Sequence, residues 1–283
     1  MLSVVFPAWV SARLLVLICF LGPGTLAAQT TPGELIRLDT RPGVQSSYWW
    51  MPHDAPTATV LLMAGGVGGM GFKNGQPASQ NFLIRSRAEF LRAGFNVALL
   101  GNPGDMRQLN PDLRTSPEHV QDIAAVVAQL RQKSSVPVWL IGTSQGSISA
   151  TAAALSLGSG VAGVVLSSSY TVVHRPYRAA VTELALEKLA LPVLVHQHGR
   201  DGCPVTPAWA ARALLKRLHS APVAHYAEVS GGSEPSGSVC EALHYHGYIG
   251  IEEQVVREIG EWIRQPVSST RPPALKNFKE ADR

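Results

Sequence analysis

Val136-Pro137-Val138-Trp139-Leu140-Ile141-Gly142-Thr143-Ser144-Gln145-Gly146 is the stretch whose reading decides the fold. An apolar run ends in a G-x-S-x-G pentapeptide and an alanine-rich, helix-prone segment follows, so the order is strand, sharp turn, helix. A serine hydroxyl is a poor nucleophile unless the backbone aims it out of the fold, toward a base and toward N–H groups that can hold developing negative charge. The small residues flanking Ser144 let the chain turn there without clashing. The pentapeptide alone is a common pattern, and its position directly after a strand is what turns it into a claim about chemistry.

Outward from this turn, strands alternate with helices. Residues 35–38 and 45–51 read as an opening hairpin, 59–63 as a short buried strand, 82–93 as a helix stopped by Gly94, and 96–100 as the next strand. Ser116-Pro117 starts a helix with a capping hydroxyl and proline at the first helical position, and Val120, Ile123, Val127 and Leu130 lie on one face. Beyond Ser144 come a helix over 147–157 with Gly158 as its stop, strands over 161–166 and 192–196, a helix over 207–218 capped by Thr206, a strand over 223–229 and a helix over 251–263. Parallel neighbours need crossover connections, so this alternation predicts an α/β fold with a mostly parallel central sheet of about eight strands and helices on both faces.

A nucleophile requires a base, and a base requires an orienting acid. The strand after the nucleophile helix ends in Ser167-Ser168-Ser169-Tyr170 and offers no carboxylate, whereas the next ends in His198-Gly199-Arg200-Asp201-Gly202, which makes Asp201 the candidate acid. A helix cap or a turn is the plain alternative for that aspartate. Downstream, His244-Tyr245-His246-Gly247 precedes the final helix, and His246 is the candidate base with His244 in reserve.

With its Gly142–Gly146 pentapeptide, the glycine-rich turn Ala64-Gly65-Gly66-Val67-Gly68-Gly69, Asp201 at a strand end and His246-Gly247-Tyr248 before the last helix, the chain resembles the α/β-hydrolase superfamily over residues 35–264. The order serine, acid, histidine is that of the superfamily and differs from the orders in chymotrypsin-like and subtilisin-like proteases. The resemblance implies an esterase or a dienelactone-hydrolase-like enzyme in which Ser144, Asp201 and His246 are catalytic. It also implies backbone oxyanion donors at Gln145 and at Gly66 or Val67. Where many lipase-like members carry histidine before the oxyanion glycines, Ala64 stands. The interval 171–191, where relatives often insert a cap, is only about one helix long, so no lid domain is expected.

Residues 1–28 read as a secretory signal: Arg13, the apolar run 14–21, a Gly-Pro-Gly break, then Thr25-Leu26-Ala27-Ala28-Gln29 as a small-residue cleavage site. The run is too short to span a bilayer, so no stable membrane anchor is expected, and the mature protein is placed in a periplasm or outside the cell. Removing the signal leaves two of three cysteines, Cys203 and Cys240, as an even pair in an oxidising compartment, with a disulfide as the expectation and two buried thiols as the alternative. Residues 29–264 are read as a single hydrolase domain and 265–283 as a flexible tail. A length of 283 residues with 46% hydrophobic content suits one large core.

Other functions are weighed and set aside. The net charge of +4 is small and the basic residues are scattered, which argues against nucleic-acid binding. Gly66-Val67-Gly68-Gly69-Met70-Gly71 fits the dinucleotide fingerprint, but no helix opens after it and no acid ends the next strand, so no cofactor is expected. His196, His198, His244 and His246 with the two cysteines could be drawn as a metal site. A triad and a disulfide account for His246 and both cysteines without one. The expected partner is a small-molecule acyl substrate, with esters first, and peptidase- or amidase-like hydrolysis or a non-catalytic secreted binding protein as alternatives. Trp49, Trp50 and Tyr170 belong either to an apolar pocket or to the core, and the oligomeric state is left open.

Overall fold

In the computed structural model, residues 1–3 and 33–267 are described. The signal segment, apart from residues 1–3, and the tail beyond Val267 lie outside the described residues. The described residues from Gly33 to Val267 belong to one compact unit, which carries the whole sheet. Strands β1 (Glu34–Arg41), β2 (Val44–Met51), β3 (Ala58–Met63), the two-residue hairpin β4 (Phe72–Lys73) and β5 (Gln76–Pro77), β6 (Phe95–Leu100), β7 (Val138–Thr143), β8 (Gly163–Ser167), β9 (Val193–His198) and β10 (Ala224–Val229) are interleaved with helices α1 (Phe82–Arg85), α2 (Arg87–Arg92), α3 (Pro117–Lys133), α4 (Gly146–Leu157), α5 (Ala208–Ala213) and α6 (Glu252–Arg264). Eight strands form one sheet in the order β1-β2-β6-β3-β7-β8-β9-β10. The pairs β1–β2 and β2–β6 are antiparallel, and every later pair is parallel.

The period of two along each central strand feeds two cores. In β3, Leu61 and Met63 join a cluster with Ile123, Val126 and Leu130 of α3 and Ile148 of α4, while Val60 and Leu62 join Phe82 and Phe90 with Val255, Ile259 and Trp262 of α6. Each such side chain contributes about 1.5–3 kcal/mol through burial, which is why α6, otherwise strongly charged, stays on the sheet. Trp49, Trp50 and Tyr170 are all buried, so they belong to the core.

Local signals explain most boundaries. Ser116 Oγ accepts from the His119 N–H at 3.2 Å, as the Ser-Pro start predicts, and Gly158 closes α4 with φ at 50°. Two expectations are corrected. The helix over 82–93 is split at Ser86, whose φ and ψ of −91° and 12° leave the helical region. The helix over 207–218 ends as α5 at Ala213 and continues as a 3-10 turn over Leu214–Arg217, and Thr206 does not cap it. The interval after β8 holds two 3-10 turns, Val181–Glu183 and Leu186–Lys188, and no lid domain stands among the described residues.

Candidate active site

The groups singled out in the sequence gather beyond the C-terminal ends of the parallel strands, where open α/β sheets bind ligands. The glycine turn follows β3, Ser144 follows β7, Asp201 follows β9, and the loop after β10 brings in His246. Ser144 has φ at 52°, a left-handed conformation that is strained for a residue with a side chain and that lifts it out of the strand direction. The turn closes only because of its glycines. A Cβ on Gly142 would stand 2.2 Å from the Gly146 carbonyl oxygen, and one on Gly146 would stand 2.1 Å from that of Met63. The Ser144 N–H donates to the carbonyls of Ser167 and Ser168, each at 3.1 Å, so the elbow hangs on the end of the neighbouring strand.

Asp201 and His246, the candidate acid and base, come into contact. His246 Nδ1 lies 3.0 Å from Asp201 Oδ2, with both residues buried. His244 makes no such contact; its ring packs edge-on against Tyr245. The Asp201 carboxylate is nearly saturated: Oδ1 accepts from the Cys203 N–H at 3.0 Å, and Oδ2 also accepts from Gln197 Nε2 and Thr206 Oγ1, each at 2.9 Å. The Thr206 hydroxyl, read from sequence as a helix cap, is thus committed to the acid, and it also sits 3.2 Å from His246 Nδ1. Gln197 went unnoticed in the sequence, although a glutamine between two histidines in a strand buried throughout is a signal that something inside needs donors.

The histidine loop is fastened at several points. Ser168 Oγ donates to the His246 carbonyl at 2.8 Å, which gives a task to the serine run that had offered no carboxylate. Arg85 Nη2 donates to the Gly247 carbonyl at 2.6 Å while pairing with Glu252. The fully buried Tyr248, whose phenol is pushed well above its ordinary pKa first by desolvation, donates from its hydroxyl to the His196 carbonyl at 2.8 Å. Cys203 and Cys240 form a disulfide with Cα atoms 4.7 Å apart, joining the acid loop to the histidine loop.

Ser144, His246, Cys240 and the turn from Gly65 to Gly68 share the lining of one cavity of about 300 Å³, together with Ser79, Asn81 and Phe82. Apart from His246 no titratable side chain lines it. Gly65 comes so close that a Cβ there would lie 2.8 Å from Ser144 Cβ. Among the described residues, the N–H groups of Gly66, Val67 and Gln145 donate to no protein acceptor, and Gln145 opens the N-terminus of α4. A larger depression of about 600 Å³ is lined by Arg85, Glu89, Glu252 and Arg257 and contains neither Ser144 nor His246. His196 is held by Tyr248 and Glu258, and His198 by the Gly231 carbonyl and the Arg200 N–H. Among the described residues no three histidine, cysteine or acidic side chains converge as metal ligands.

Solved structures share this fold. An esterase from Pyrococcus furiosus is similar with a TM-score of 0.59 and 15% identity, over 83% of this chain and 91% of its own. Dienelactone hydrolase from Anabaena variabilis gives 0.57 and 15%, over 82% of this chain and 96% of its own. A serine hydrolase without a lid from Xanthomonas campestris gives 0.51 and 17%, over 81% and 96%. No protein-family model matches the chain, and no curated protein matches it significantly. The chain has the α/β-hydrolase fold, with its eight-stranded, mostly parallel sheet and helices on both faces.

Proposed function

We propose that the protein is a serine hydrolase that cleaves an acyl ester bond through Ser144, His246 and Asp201. The observation that carries this reading is the conjunction at one cavity of a serine in left-handed backbone with a histidine whose far nitrogen is bound to a buried carboxylate. His246 Nε2 takes the proton from the Ser144 hydroxyl as Oγ attacks the acyl carbon, while Nδ1–H donates to Asp201, which fixes the tautomer and favours the imidazolium. The oxyanion is held by backbone N–H groups at Gln145 and in the glycine turn. The imidazolium then protonates the leaving alcohol, and a water that gives its proton to the same nitrogen releases the acyl group.

A neutral cavity of about 300 Å³ is at the small end of ligand sites and fits a short, uncharged acyl group. Esters are favoured over amides because their leaving groups need the least protonation. Export to an oxidising compartment is part of the proposal and is supported by the disulfide. No helix among the described residues is long and apolar enough to cross a membrane. The partner is a small molecule rather than nucleic acid, and no cofactor takes part in the scheme.

The test is labelling by a fluorophosphonate probe, followed by turnover of 4-nitrophenyl esters of rising acyl length. Wild-type protein should be modified at Ser144 and prefer the shorter acyl groups. Ser144→Ala should lose labelling and about 10⁶-fold in turnover. Folded wild-type protein that takes no label would favour the non-catalytic binding protein.

A further inference from the structure

Beneath the glycine turn lies a cation that the scheme above does not use. Arg114, in the 3-10 turn Leu113–Thr115, is only 1% exposed, and no carboxylate pairs with it among the described residues. Desolvation lowers its guanidinium to about 9, which still leaves it charged at neutral pH. Its two bonds run in opposite directions. Nη1 donates to Ser149 Oγ of α4 at 3.0 Å, and Nη2 donates to the carbonyl oxygen of Gly66 at 2.9 Å. Behind Ser149 sits His119, fully buried and pushed down to about 3 by desolvation first and then by the charges of Arg114 and Arg41. His119 is therefore neutral, and its Nε2 lies 3.0 Å from Ser149 Oγ. A buried guanidinium without a counter-ion is costly, so its placement against one carbonyl of the turn calls for a reason.

The planarity of the peptide supplies it. In a trans peptide the carbonyl of one residue and the N–H of the next point in opposite directions. Holding the Gly66 carbonyl on Arg114 therefore turns the Val67 N–H away from Arg114, and Val67 lines the cavity with Ser144. The adjacent carbonyls are tied as well. That of Gly65 accepts from the Gly68 N–H at 3.0 Å, and that of Val67 accepts from the Leu109 N–H and from Asn102 Nδ2, each at 2.9 Å. With all three carbonyls occupied, the peptide between Gly66 and Val67 has no free rotation left.

We propose that Arg114 is a positioning residue of the oxyanion site, which fixes the Gly66–Val67 peptide so that the Val67 N–H is the second donor beside Gln145. This rests on the hydrolase reading, and it decides between the two donors that the sequence left open. Arg114 never touches substrate. It acts through the peptide it holds, and its charge polarises that peptide in the direction that strengthens the N–H as a donor.

The test compares Arg114→Met, which keeps most of the volume, with Arg114→Lys, which restores a cation, using 4-nitrophenyl acetate. An oxyanion donor acts in the transition state rather than on bound substrate. Arg114→Met should therefore lower kcat by about 10- to 100-fold with KM within about twofold, below the full loss of a donor because a misaimed N–H is not an absent one. Arg114→Lys should recover part of the loss. Unchanged kcat in Arg114→Met, or KM and kcat moving together with no recovery in Arg114→Lys, overturns the proposal. If Arg114→Met does not fold, Ser149→Ala removes the second anchor and should lower kcat several-fold, and wild-type kcat in that variant overturns it. A wild-type protein inert to both ester and fluorophosphonate refutes the hydrolase reading instead. The orientation is then read from a crystal structure of Arg114→Met or, should that variant not fold, of Ser149→Ala. A turned Gly66–Val67 peptide supports the positioning role, and an unchanged one refutes it.

Discussion

The two sides of the cavity are held in place by opposite means. On the β3–β7 side, Ser144 is positioned by backbone approaching backbone at Gly142 and Gly146, at distances where a Cβ has no room. On the β9–β10 side, Asp201 and His246 are positioned by accumulated side-chain bonds: three donors besides the histidine on the carboxylate, a serine on the His246 carbonyl and a disulfide between the loops. The first arrangement is stiff and has no redundancy, since one methyl group is enough to disturb it. The second distributes the work, so that the loss of one bond is shared by the others, and only the carboxylate itself has no substitute.

That contrast can be broken most sharply at the carboxylate. Asp201→Asn keeps the shape, but its NH2, where it faces Nδ1, donates instead of accepting and reverses the imidazole tautomer, so turnover of 4-nitrophenyl acetate is expected to fall by about 10⁴-fold, with a lowered melting temperature because either placement of the NH2 confronts buried donors. A loss below tenfold would mean that the neighbours of His246 orient it without the acid. On the opposite side, Gly65→Ala places a Cβ 2.8 Å from Ser144 Cβ and 2.9 Å from the Thr143 carbonyl oxygen. Displacement of the nucleophile by about 1 Å is worth about 10²-fold in rate, together with about 1–3 kcal/mol of overpacking in a denaturation curve. Wild-type kinetics in Gly65→Ala would show that the elbow has slack after all. The smallest effect belongs to the tether. Reducing the 37-residue loop closed by Cys203 and Cys240 should remove roughly 3 to 4 kcal/mol of stability by chain entropy. Activity should drop only several-fold, and before circular dichroism reports unfolding; unchanged turnover with both thiols free would remove the bond from the account of the site.

The same contrast governs what was legible in the sequence. The elbow was plain in the primary structure because a strand, two glycines and a serine at fixed spacing leave few alternatives, and the sheet followed from alternating periodicities. Asp201 was singled out from its place at a strand end, and His246 from its place before the final helix. What surrounds them was hidden: Ser168 reaches His246 across 78 residues of sequence, while Gln197 and Thr206 reach Asp201 over four and five residues through a loop whose path no periodicity announces. Thr206 shows why: its place before Pro207 satisfies a local rule for helix caps, yet its hydroxyl is committed to the Asp201 carboxylate five residues earlier in the same loop. Arg114 was equally silent, since nothing local distinguishes a buried arginine from a solvated one. The 3-10 turns after β8 escaped for a different reason, as their short polar and apolar mixture carries no period to read.

The carbonyls of Ser167 and Ser168 accept the Ser144 N–H, and the Ser168 hydroxyl donates to the His246 carbonyl, so the end of β8 clamps both residues. Chain added beyond that clamp, at the exposed residues 173–176, would leave each of those bonds in place. The fold therefore separates the part of the chain that sets reactivity from a part free to gain length, and a selectivity-determining insertion could be grafted there without rebuilding the machinery beneath it.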